Sequence, residues 1–117
     1  MASIITPAVA KTLIQDYKNR NTAAGGPGLK TPDGAYLHGF FIDRACLEAI
    51  FKKDPKCVGI SVNFGKHARF EAAGDTVVTL VFAGVVPATS STTPYQTTGD
   101  IYSDPPPCPT FCSNLGT

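Results

Sequence analysis

Apolar residues recur every four positions at Val9, Leu13 and Tyr17, flanked by Ala10 and Ile14, while Lys11, Gln15, Asp16 and Lys18 take the other face. This is the period of an amphipathic helix. Thr6 supplies an N-cap hydroxyl, and Pro7 sits at the first helical position, where a missing N–H costs nothing. The pattern predicts a helix reaching to about Arg20, with an apolar stripe that needs a surface to cover.

Residues 21–34 read as a loop. Gly25-Gly26-Pro27-Gly28 has almost no regular propensity, and Thr31-Pro32-Asp33-Gly34 has the chemistry of a type I turn. A strand rich in aromatics is predicted from Ala35 to Ile42. Asp43 then caps a second helix, Arg44 to Lys53, with Leu47, Ile50 and Phe51 as its buried stripe and Asp54-Pro55 as its end.

Cys57 to Phe64 alternates strictly, placing Val58, Ile60, Val62 and Phe64 on one side of a half-buried strand. Arg69 to Ala73 extends it toward a Gly74-Asp75 turn. Thr76 to Val86 is apolar on both faces, the mark of a central strand covered on both sides. From Val85 to the end the composition changes to seven Thr, four Ser and six Pro, a stretch that cannot build its own core.

The expected fold is α+β: a small single sheet of three to four mainly antiparallel strands with two helices on one face. The division is a domain over residues 1–86 and an extended Pro/Ser/Thr-rich tail over 87–117, ending in a cysteine pair. A body of this size buries only roughly 60–65% of its unfolded surface and gains from metals, disulfides or self-association.

Charge narrows the partners. The net charge of +1 gives no argument for nucleic acid or an anionic membrane. It is unevenly spread: residues 1–84 carry all ten Lys and Arg against seven acids, and the remainder carries only Asp100 and Asp104. No segment approaches the roughly 20 apolar residues of a membrane span. The N-terminus lacks the basic and apolar regions of a signal peptide, so the default compartment is the cytoplasm, with export by a non-classical route left open. Reduced thiols are expected there, as packing residues, ligands or reactive groups rather than structural disulfides.

The pair in Cys108-Pro109-Thr110-Phe111-Cys112 is the most specific candidate. Two thiolates on one turn could supply half of a zinc site, with Cys57, His38 or His67 completing it, or could cycle with a disulfide. The spacing to any second pair is wrong for zinc, and a three-residue gap at the end of a chain does not fit thioredoxin-like chemistry. The favoured reading is an anchor or structural cross-link in which Cys108, Phe111 and Cys112 make the interaction, with Cys108 and Cys112 a candidate disulfide.

Cys46 stands near a helix N-terminus, where partial positive charge would lower a thiol pKa, but no base lies at fixed spacing and a packing role is favoured. Gly25 to Thr31 superficially resembles a phosphate loop and fails, because Leu29 separates Gly28 from Lys30 and a helix precedes it. His38 and His67 lack partners at telling spacing, and the nine carboxylates are scattered. No catalytic residue and no cofactor follow from these patterns.

The series Phe40-Phe41-Ile42-Asp43, Leu47-x-x-Ile50, Cys57 to Gly65, Leu80 to Val85 and a terminal Cys-Pro-x-x-Cys resembles a group of small bacterial proteins with no assigned activity. In that group a helix–strand–helix–hairpin body precedes a short cysteine-containing C-terminus. The resemblance implies no catalytic residues, and it implies that body and cysteine pair belong to one design. The expectation is a non-enzymatic structural or self-assembly module, homo-oligomeric, whose tail packs on its own body or on neighbouring copies. The alternative is a thiol-redox or metal-binding protein acting through Cys108 and Cys112. A tail that docks on another protein is the weaker third option.

Overall fold

The computed structural model describes residues 2–67, 76–89, 92–108 and 113. Its elements are α1 (Pro7–Thr22), β1 (Gly39–Phe40), α2 (Arg44–Lys53), β2 (Gly59–Lys66), β3 (Val78–Pro87), β4 (Tyr95–Ser103) and β5 (Pro107–Cys108). Strands β2, β3 and β4 form one sheet in that order, mainly antiparallel, and β1 pairs with β5 in a second, two-stranded sheet. The class is α+β.

The chain divides into two compact units. One is Met1–Phe41, His67–Val78 and Pro106–Thr117; the other is Ile42–Lys66 and Thr79–Pro105. Residues beyond Val86 are therefore shared between both units. The segment read as an extended tail supplies β4 and β5.

In the first unit, α1 begins as expected: Thr6 Oγ1 accepts the Val9 N–H at 3.2 Å. Its apolar stripe is not buried, however, for Val9 and Leu13 stand 46% and 57% exposed. The buried residue of α1 is Asn21, 2% exposed, whose carboxamide binds the loop that follows. Asn21 Oδ1 accepts from the Leu29 N–H and Nδ2 donates to the Leu29 carbonyl, much as a neighbouring strand would. Tyr17 adds a bond from its hydroxyl to the Leu37 carbonyl at 2.6 Å, and burial raises the phenol's pKa.

Those bonds explain why the expected strand from Ala35 to Ile42 shrinks to Gly39–Phe40. The Leu37 N–H donates to Leu29 and its carbonyl accepts from Tyr17, so its backbone groups are used outside a regular ladder. The turn at Thr31–Gly34 forms as read, the Gly34 N–H donating to the Thr31 carbonyl at 3.0 Å. Lys30 bridges Tyr36 and Val77 on either side, and its ammonium lies 5.4 Å from the Tyr36 ring centre.

In the second unit, α2 has the limits read from the pattern, and Asp43 Oδ1 accepts the Cys46 N–H at 2.8 Å. Of its expected stripe Ile50 is buried and Leu47 half-buried, whereas Phe51 stands 46% exposed. The helix approaches β3 at Gly84. A β-carbon there would lie 2.7 Å from Ile50 Cγ2 and 2.8 Å from Cys57 Sγ, so only glycine admits this spacing.

Central β3 carries the core as predicted: Leu80, Phe82, Ala83 and Val85 are buried. Phe82 stacks on Tyr102 of β4 with ring centres 5.5 Å apart. The β3–β4 ladder is antiparallel and breaks register between Ala83 and Gly84, where the partners jump from Ile101 to Thr98. Buried Thr79 donates its hydroxyl to Asp104 Oδ1 at 2.8 Å and accepts the Asp104 N–H at 3.1 Å. Asp104 takes a left-handed backbone, φ 59°, to make that pair.

Strand β2 departs from the reading of its alternation. Among the described strands it lies at the edge of the sheet, and Val62 and Phe64, with Val58 just before it, are 49%, 80% and 59% exposed. An alternating pattern places such residues on one side without fixing whether anything covers that side.

Candidate functional site

The C-terminal cysteine region is built on a short ladder in the first unit. Gly39 pairs with Cys108 and Phe40 with Pro107, and the His38 and Phe41 N–H groups donate to the Cys108 and Pro106 carbonyls at 3.1 and 2.8 Å. The three prolines Pro105, Pro106 and Pro107 have no N–H to give, so β5 contributes mainly acceptors, consistent with a two-residue pairing.

Cys108 is 5% exposed and its sulfur is held in a disulfide. The general expectation of reduced thiols therefore does not hold at Cys108, one of the two residues read as a candidate disulfide. A disulfide sulfur is not the thiolate a zinc ion requires, so in this state Cys108 is no ligand. Phe111 and Cys112, the other residues assigned to this site, lie outside the described residues.

The remaining cysteines are free and half-buried. At Cys46 the helix-terminus activation weighed against a packing role is absent: the thiol's bond to the Asp43 carboxylate, with burial and that carboxylate's charge, raises its pKa. A neighbouring carboxylate disfavours the thiolate, as like charges do. Cys57 turns its thiol to the Gly59 carbonyl at 3.0 Å and packs where α2 meets Gly84.

His38 is half-buried, and its Nδ1 has no hydrogen-bond partner; burial, then the positive charge of Lys18, lowers its pKa. His67 is buried, with its N–H on the Val77 carbonyl. Among the described residues no three His, Cys, Asp or Glu side chains are grouped to hold a metal ion. No described helix is long and apolar enough to cross a membrane.

What the structure does bring forward is apolar surface. In the first unit, Ile4 and Ile5 precede α1 at 102% and 47% exposure, and Ala8, Val9, Thr12 and Leu13 line a shallow apolar groove. In the second, Val58, Gly59, Ile60, Ser61, Val85 and Tyr95 line a groove of about 410 Å³. The stripe of Val9 and Leu13 and the face of Val58 and Ile60 were legible in the sequence; Ile4, Ile5 and Tyr95 were not read with them.

Comparison with protein-family models, curated proteins and solved structures finds no match.

Proposed function

We propose that this chain is a non-enzymatic structural module that assembles with other copies of itself. The supporting observation is an imbalance among the described residues: twelve large apolar side chains are exposed, against eight hydrophobic residues buried as core. A small protein that leaves more large apolar groups in water than it buries gains by covering them. The helix face bearing Val9 and Leu13, introduced by Ile4 and Ile5, is a regular stripe that another copy can cover. The disulfide at Cys108 serves in this reading as a cross-link, proposed to join Cys112, since Cys46 and Cys57 are free. Its burial at 5% exposure favours a structural bond over one that exchanges with other thiols.

Light scattering of the full chain from about 1 to 100 µM tests the proposal, a range covering micromolar affinities. The expected result is a mass above one chain that falls on dilution, with Leu13→Asp shifting the balance toward single chains while the circular dichroism stays unchanged. A single-chain mass throughout would overturn it. Counting thiols on the unreduced chain addresses the cross-link: two are expected to react under denaturing conditions and four after reduction.

A further inference from the structure

We propose that the outer edge of β2 is a two-fold interface, on which β2 of a second copy pairs antiparallel and makes one continuous sheet. This rests on the self-assembly reading and names the surface it uses.

Among the described strands the sheet order leaves two edges, β2 and β4. The two edges are guarded unequally, β4 in mid-strand and β2 at its end alone. The β4 ladder skips Gly99 and Asp100, Gly99 has a φ of 72°, and Asp100 puts a charge within the strand. Bulges and charges of this kind are what keep an edge from acquiring a neighbour. Strand β2 has no proline, and its one charged residue is Lys66 at its C-terminal end. Val62 and Phe64 stand exposed beside Asn63, and Phe64 is the most exposed aromatic among the described residues at 80%.

The segment also complements itself. With Val62 on the two-fold axis, Phe64 of one copy faces Ile60 of the other, and Ser61 faces Asn63. Aromatic against β-branched is a favourable cross-strand pair. Ile60 lines the groove of about 410 Å³, so the exposed ring of the partner arrives where there is room for it. The same register sets Lys66 against Val58, so no like charges meet. The second unit as a whole balances five basic residues (Arg44, Lys52, Lys53, Lys56, Lys66) with five acidic ones (Asp43, Glu48, Asp54, Asp100, Asp104), so two copies do not repel through net charge.

The test uses three variants of the full chain. Val62→Lys sets two ammonium groups against each other on the axis, and Phe64→Ala removes the ring. Each is expected to weaken association about tenfold or more by light scattering. Val62→Cys, made with Cys46→Ser, places two thiols within about 5.5 Å between β-carbons and is expected to give a covalent dimer with a short bis-maleimide. Association unaffected by Val62→Lys and Phe64→Ala, with no Val62→Cys dimer, would overturn this interface while leaving self-assembly through α1 intact. A single-chain mass for the unmodified protein at about 100 µM would overturn both readings.

Discussion

The carboxamide of Asn21 is bonded to both main-chain groups of Leu29, its Oδ1 2.6 Å from the amide nitrogen and its Nδ2 2.9 Å from the carbonyl oxygen. A second, longer contact of 3.5 Å runs from Nδ2 to the Leu37 carbonyl. One side chain thus ties the end of α1 to the loop that has no ladder of its own. Asn21→Ala should leave the half-buried Leu29 N–H without its partner, while the Leu29 carbonyl keeps the Leu37 N–H. At about 1–3 kcal/mol for an unsatisfied buried group, a loss in that range is expected in urea unfolding. Asn21→Asp keeps the acceptor but turns a carboxylate oxygen toward two carbonyls. It should be comparably unstable at neutral pH and recover when the carboxyl is protonated. Stability equal to wild type for the alanine variant would show that the clamp is dispensable.

Local chemistry was the legible part of this fold. The caps Thr6 and Asp43, the limits of α2 and the turn at Thr31–Gly34 depend on residues a few positions apart, and all appear as read. Central β3 was legible because it is apolar on both faces. Strand β4 was not, although Tyr95, Thr97, Thr98, Ile101 and Tyr102 have good strand propensity. The surrounding Pro, Ser and Thr composition hid it, and only the antiparallel partner β3 decides that these residues form a strand. Asn21 was hidden for a related reason: a polar residue enters a core only when distant backbone groups satisfy it. At the candidate site, the cysteine pair was visible by spacing, while the ladder that seats Cys108 against Gly39 is a long-range pairing that no spacing reveals.

Gly84 offers a test of how α2 seats on β3. A β-carbon at this position would press on Ile50 Cγ2 and Cys57 Sγ, neither of which is the tip of a long flexible chain. Gly84→Ala is expected to cost about 1–3 kcal/mol, the range for overpacking a close-packed site. Ile50→Leu removes the branch carrying Cγ2 at constant volume, so the double variant should be less unstable than the two single losses added together. Strict additivity in urea unfolding would mean that Ile50 does not set the approach.

Three groups make stability depend on pH on the acid side. The Asp54 carboxyl is held below its ordinary pKa by the Thr98 hydroxyl at 2.5 Å, then by the Lys56 N–H at 2.9 Å, and Asp43 is lowered by the Cys46 N–H. His38 is lowered by burial and by Lys18. In every case the folded chain binds fewer protons than the unfolded one, so stability rises with pH across the titration. The contribution is fully present above the unfolded pKa and is lost as pH falls through the folded one. Unfolded references of about 6.5 for histidine and about 3.9 for aspartate therefore place one descent beginning near the first value and a second below the other. On the alkaline side Cys46 and Tyr17 have raised pKa values, so their contributions are present below the unfolded values, about 8.5 and about 10, and are lost as pH rises through the folded ones. Urea midpoints measured across these windows should trace a dome. His38→Gln should flatten the descent nearer neutrality, and Asp54→Asn should blunt the more acidic one. If His38→Gln keeps the wild-type slope between about pH 7 and 5, the buried imidazole is not its source.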